Sequence, residues 1–110
     1  MHTMKVQTKY YNLLKNGIKT IELRLWDEKR RQINVGDKIT FSDLSDLADT
    51  FVAEVIALHR SPSFDQLCEI IQPQQAGFST KEDLLNCLQE FYTPKAQEQY
   101  GVVGIEIRRI

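Results

Sequence analysis

At 110 residues, with 42% apolar and 26% charged side chains, the chain has the size and composition of one globular domain whose core needs no metal or disulfide. A formal net charge of −1 excludes a uniformly basic nucleic-acid binder, and no run of about eighteen apolar residues marks a membrane span. The start MHTMKVQTKYY lacks the basic head and apolar run of a signal peptide. A cytoplasmic place, no membrane association and a single domain over residues 1–110 are therefore expected.

In chain order, a short strand is expected at Met4 to Gln7, followed by a helix capped by Thr8. Tyr10, Leu13 and Leu14 give that helix its apolar stripe, and Gly17 supplies a left-handed stop. From Lys19 to Trp26 the pattern alternates: Ile21, Leu23 and Leu25 are apolar, with Thr20, Glu22, Arg24 and Trp26 between them. That is the period of a strand with one buried face, so Glu22 and Arg24 share the other, with Lys19 at its mouth.

The next stretch, Asp27-Glu28-Lys29-Arg30-Arg31, is too polar for a core and reads either as a solvated turn or as part of an anion site. From Lys15 to Arg31 six cations stand against three acids, a net of +3, while the rest of the chain carries −4. Such local polarity is what phosphate attraction needs, even in a protein that is slightly acidic overall.

Val35-Gly36-Asp37 turns the chain into a strand at Lys38 to Ser42, a polar loop or hairpin connection follows to Thr50, and Phe51 to His59 forms a strand buried on much of both faces. Ser63 with Gln66 opens a helix bearing Phe64, Leu67, Cys68 and Ile71, and Pro73 to Phe78 is a loop. Ser79 with Glu82 opens another helix, whose Leu84, Leu85, Leu88 and Phe91 face inward until Pro94 ends it. The last strand, Val102 to Ile107, is apolar enough to demand a central place in the sheet.

Cys68 and Cys87 form no CxxC pair and stand apart from His2 and His59, so both read as free, buried thiols and no metal is expected. His59, alone at a strand end, reads as structural. The architecture is α+β: a small barrel of five to six mostly antiparallel strands flanked by three short helices.

Gly17-x-Lys19-Thr20-x-Glu22-x-Arg24, the charged Asp27–Arg31 run, Val35-Gly36-Asp37 and the ending Tyr100-Gly101-Val102-Val103-Gly104-Ile105-Glu106 together resemble the ASCH domain. The resemblance covers nearly the whole chain. It implies a PUA-like barrel and a charged cleft, holding Lys19, Glu22 and Arg24, that binds RNA or a nucleotide, with no cofactor. Around that trio Trp26, Tyr92 and Tyr100 are candidate stacking faces, with packing the alternative for each, and Lys29, Arg30, Arg31 and Lys95 are further candidate contacts.

A hydrolase of modified nucleosides or of RNA phosphodiesters is the alternative, with Lys19 and Glu22 as the catalytic pair. One bacterial branch of the family hydrolyses acetylcytidine with a lysine base and a threonine nucleophile three residues later. Lys19 matches the lysine, but Glu22 stands where that threonine belongs. Covalent catalysis of that kind is thereby disfavoured, and Glu22 would have to activate water. An interaction domain without a ligand has no exposed apolar stripe in the sequence to speak for it. Nothing in the sequence fixes an oligomeric state.

Overall fold

The computed structural model describes residues 1–110. The strand expected around Lys19 to Trp26 is present as β2 (Ile21–Leu25), and its partner is the apolar C-terminal strand β5 (Val102–Arg109). The other strands are β1 (His2–Val6), β3 (Lys38–Asp43) and β4 (Asp46–Ser61), and the sheet order is β1-β3-β4-β5-β2. Only β1 and β3 are parallel. The most apolar strand thus lies inside the sheet, where both of its backbone edges are paired.

The first half of β4 pairs with β3 and the second half with β5, with a register shift between Val55 and Ala57. This irregularity bends the strand and curls the sheet into a half-barrel. Its two edges, β1 and β2, face each other without a backbone ladder.

Strand pleating divides the core. Val103, Ile105 and Ile107 of β5 join Ile39, Phe41, Phe51, Tyr11 and Trp26 on one side of the sheet. Val102 packs with Ile21 and Leu23 on the other, under Phe64, Leu67, Leu84 and Leu88. Because Glu22 and Arg24 alternate with Ile21 and Leu23, they point to the Trp26 side, at the rim of the first core.

Four α-helices occur rather than three: α1 (Thr8–Lys15), α2 (Phe64–Leu67), α3 (Lys81–Leu88) and α4 (Pro94–Tyr100). Pro94 ends nothing. It occupies the first turn of α4, where its missing N–H has no partner to lose, and Thr93 caps that helix by accepting from Ala96 N–H at 3.1 Å. Single 3-10 turns lie at Arg30–Gln32 and Pro73–Ala76, the second within the stretch expected to be loop.

Several local expectations shift. Thr8 does not cap α1; Gln7 stands at that position, and the Thr8 hydroxyl donates to Asp43 Oδ1 at 2.6 Å instead. Tyr11 and Leu14 are the buried pair of α1, while Tyr10 and Leu13 are half-buried. Thr80, not Ser79, caps α3, accepting from Asp83 N–H at 3.1 Å.

The polar segment before Thr50 is mostly strand, because β4 begins at Asp46 after a tight hairpin from β3. Nor is β4 buried on both faces: Phe51, Ala53 and Val55 alternate with half-exposed neighbours. Phe91 lies past the end of α3 and is 54% exposed instead of inward. Both cysteines are free and half-buried.

Candidate functional site

Lys19 is set by the turn that ends α1. Gly17 adopts a φ of +78°, and the backbone N–H groups of Ile18 and Lys19 both donate to Leu13 C=O at 3.0 Å. The Lys19 stem then runs beneath Gly77, which has a φ of +91° and where an added Cβ would lie 3.2 Å from Lys19 Cδ. Only glycine satisfies both the left-handed backbone and this close approach.

The Lys19 ammonium lies 3.0 Å from Glu22 Oε1 and donates to Ala76 C=O at 3.0 Å. Glu22 Oε2 accepts from Arg24 Nε at 2.7 Å, and Arg24 Nη2 donates to Lys5 C=O at 2.9 Å. Lys19 is 4% and Glu22 6% exposed. Two cations around one carboxylate leave a net positive site, and Arg24 ties the open edge of β2 to β1.

Burial alone would raise the Glu22 carboxyl, but the adjacent Lys19 and Arg24 charges and their hydrogen bonds outweigh it and hold it below its ordinary value. Glu22 is therefore a fixed anion at neutral pH, with each oxygen already engaged. Burial pushes the Tyr92 phenol up, opposed by the Arg24 charge nearby.

Above these charges opens a cavity of about 230 Å³ lined by Lys5, Lys19, Glu22 and Arg24 together with the aromatic residues Tyr10, Phe78, Phe91 and Tyr92. Tyr10 and Phe78 meet as a tilted pair with centroids 5.5 Å apart, and the Lys19 ammonium sits 5.3 Å from the Tyr10 ring centre. Tyr10 OH lies 3.4 Å from Cys87 Sγ at the cavity wall. A charged floor with flat apolar walls suits a small planar ligand that carries hydrogen-bond acceptors.

The sequence profile of the ASCH domain matches residues 4–110. The chain belongs to the ASCH domain family. Among solved structures, this ASCH domain is similar to hypothetical protein PH0355, at 34% identity over 98% of this chain and 97% of that one, with a TM-score of 0.86. The solution structure of protein PF0455 from Pyrococcus furiosus is 32% identical over 99% and 96% of the two chains, with a TM-score of 0.77. A serine-to-alanine mutant of the ASCH protein of Zymomonas mobilis shares the fold at 13% identity, a TM-score of 0.70 and coverage of 96% of this chain and 66% of that one. No curated protein matches the sequence.

Of the ten residues singled out in the sequence, this ASCH domain brings Lys19, Glu22, Arg24 and Tyr92 into one cavity. Trp26 does not join them: it is 8% exposed, part of the first core, with the Arg60 guanidinium 4.8 Å from its ring centre. Arg30 is turned to Asp27 at 3.1 Å, and Arg31 Nε donates to Trp26 C=O at 2.7 Å. Lys29 and Tyr100 border a separate depression, and Lys95 is exposed on the first turn of α4.

The Asp27–Arg31 segment therefore does not cover the Lys19 cavity. Its 3-10 turn at Arg30–Gln32 directs Arg31 back to the end of β2. Tyr10 and Phe91 were missed in the sequence because each reads as part of the apolar stripe of a helix, and Phe78 because it ends a stretch that reads as loop. The one available signal was Tyr10, on the half-buried flank of the helix that delivers Lys19. His59 lies outside the cavity and pairs with Glu106 at 2.8 Å.

No helix is long and apolar enough to cross a membrane. No three His, Cys, Asp or Glu side chains are grouped as a metal would require.

Proposed function

We propose that this chain acts as one ASCH unit in the cytoplasm and binds RNA or a nucleotide by taking a single base into the cavity over Lys19, Glu22 and Arg24. The observation that carries this reading is the joining of a buried, net positive charge cluster to walls made by Tyr10, Phe78, Phe91 and Tyr92. Stacking between aromatic faces is sequence-tolerant and contributes on the order of 1–3 kcal/mol per base. Arg24 has five N–H donors, of which Glu22 and Lys5 take two, so donors remain for a base edge or a phosphate. Lys19 keeps a third proton beyond those given to Glu22 and Ala76.

Glu22 serves in this reading as the anchor that holds both cations in position rather than as a ligand contact. The hydrolytic alternative asks it to accept a proton from water. Its two oxygens are already bound to Lys19 and Arg24, and its carboxyl is held low, which favours binding over hydrolysis.

The test is titration with short single-stranded RNA at several salt concentrations. Affinity is expected to fall with salt and to weaken further in Arg24→Ala and Lys19→Ala, with Tyr92→Ala as a variant that keeps the charge cluster. Binding that is absent, or indifferent to all three variants, refutes the reading. Turnover of N4-acetylcytidine or labelled RNA that disappears in Glu22→Gln would establish the hydrolase instead.

A further inference from the structure

In the sequence, Trp26, Lys29, Arg31 and Tyr100 group with the Lys19 cavity. In the fold they gather beyond the end of β2, around a residue that sequence reasoning did not single out. Arg60 lies on the same face of β4 as Leu58, and its guanidinium rests on the Trp26 ring, 4.8 Å from the centre. With Ser61 and Tyr100 this pair borders a surface cavity of about 330 Å³. Tyr100 also borders the depression that holds Lys29 and Gln32, so the two concavities share this residue.

The two arginines here are held without being neutralised. Among the eight ion pairs of the molecule, none involves Lys29, Arg31 or Arg60. Arg31 is fixed by two neutral acceptors, Trp26 C=O at 2.7 Å and Tyr100 C=O at 3.3 Å, so it keeps its full charge. Arg60 is laid against an indole, an arrangement that orients a guanidinium without satisfying its N–H groups. Asp27 is paired with Arg30, and Glu28 is the one unpaired carboxylate bordering the depression.

Two pre-oriented guanidiniums, a lysine and an exposed tyrosine form a donor set for phosphate oxygens, because planar forks engage them in pairs and carry no base preference. Arg24 and Trp26 are two residues apart on one strand face, a step of about 7 Å. A strand of nucleic acid leaving the first cavity over Arg24 therefore has a short distance to cover to the Arg60 guanidinium on Trp26.

We infer that the surface formed by Lys29, Arg31 and Arg60 over Trp26 and Tyr100 binds the phosphodiester backbone of a single-stranded nucleic acid whose base lies in the Lys19 cavity. The inference rests on the base-binding reading for the strand's register, but its chemistry stands separately. A lone nucleotide engages the first cavity; only a longer strand engages both.

The experiment compares uridine monophosphate, followed by calorimetry, with a labelled oligouridylate of about eight nucleotides, followed by anisotropy. Arg60→Ala and Arg31→Ala are each expected to weaken oligonucleotide binding about tenfold, the worth of one charge-assisted hydrogen bond. Each should also lower the slope of log affinity against log salt by about 0.7 for every phosphate that is no longer neutralised. Affinity for uridine monophosphate should stay within about twofold. Arg60→Lys should keep the salt slope while recovering only part of the affinity, since it restores the charge but not the fork.

If Arg60→Ala and Arg31→Ala leave the oligonucleotide's affinity and slope unchanged while Arg24→Ala weakens both probes, the backbone surface is wrong and the cavity reading survives. If Arg60→Ala weakens the oligonucleotide while Arg24→Ala has no effect on either probe, the cavity reading is wrong and the surface stands. Equal loss of both probes in Arg60→Ala, or no oligonucleotide binding by the unmodified protein, overturns the inference.

Discussion

Lys19 and Glu22, three positions apart at the entrance to β2, hold each other at 3.0 Å with both side chains almost wholly withdrawn from water. A buried ion of this kind is stabilised only while its partner is charged, and Glu22 here partners two cations. Replacing the carboxylate by the isosteric amide in Glu22→Gln leaves Lys19 and Arg24 facing each other uncompensated. The expected loss is about 3–5 kcal/mol of unfolding free energy at neutral pH, measured by urea denaturation.

The same pair sets an acid limit. The folded Glu22 carboxyl lies below its ordinary 4.5, against the trend of burial, because Lys19 and Arg24 favour the anion. Its contribution is therefore fully present above the ordinary value and is lost as pH falls through the folded one. Unfolding free energies measured from neutral pH downward should decline more steeply below about pH 4.5 in the unmodified protein than in Glu22→Gln. Parallel profiles would show that another group governs acid unfolding.

An alkaline limit has the opposite sign. Burial pushes both Tyr10 and Tyr11 up to about 12, helped by the Cys87 contact at Tyr10 and by the bond to Asp49, 2.7 Å long, at Tyr11. Their neutral forms are favoured in the folded state, so this stability is present below pH 10 and is lost as pH rises toward 12. Absorbance titration should find these two phenols ionising late in the native protein and near 10 in denaturant. Tyr11→Phe should cost about 1–2 kcal/mol and shorten the late step by one phenol.

Gly77→Ala tests how the cavity floor is built. The left-handed backbone adds about 1–2 kcal/mol of strain, and the new methyl presses on the Lys19 and Leu13 side chains. The variant should be destabilised by at least that amount in urea, and the displaced Lys19 should weaken RNA binding beyond the loss in fold stability. Binding that tracks stability alone would mean the floor tolerates the shift.

Gly104→Ala probes the second core, pressing on Ile21 and on Leu23, which also lines the cavity. A Cβ on Gly104 would stand 2.9 Å from Ile21 Cγ2, closer than van der Waals contact allows, with Leu67 Cδ2 at 3.6 Å behind it. Overpacking there should cost about 1–3 kcal/mol of unfolding free energy, measured by urea denaturation.

The sequence-to-structure relation is uneven for physical reasons. Strand β2 was legible because one face is apolar and the other is not, and the central position of β5 followed from the cost of leaving so apolar a strand unpaired. The start of β4 was illegible: Asp46 to Ala48 are solvent-exposed on a hairpin arm, where the ladder is held by backbone groups that composition does not report. Pro94 was misread because proline stops one helix and starts another by the same missing N–H.

The site divides in the same way. The alternation of β2 was enough to place Glu22 and Arg24 together, and the Gly17 turn to bring Lys19 beside them. Nothing in the sequence could show that Trp26, on the same face two residues on, ends under Arg60 from a strand 34 positions later. Long-range pairings decide which side of a shared face reaches solvent.

The cavity is bordered on one side by β1 and on the other by β2, and a single side-chain bond from Arg24 to Lys5 spans the gap between them. Whatever it holds becomes the missing stave of an unfinished hoop. Loading of the proposed ligand should then fasten the chain's first strand to its second, and amide hydrogens of Lys5 and Val6 are expected to exchange more slowly when it is present than when it is gone.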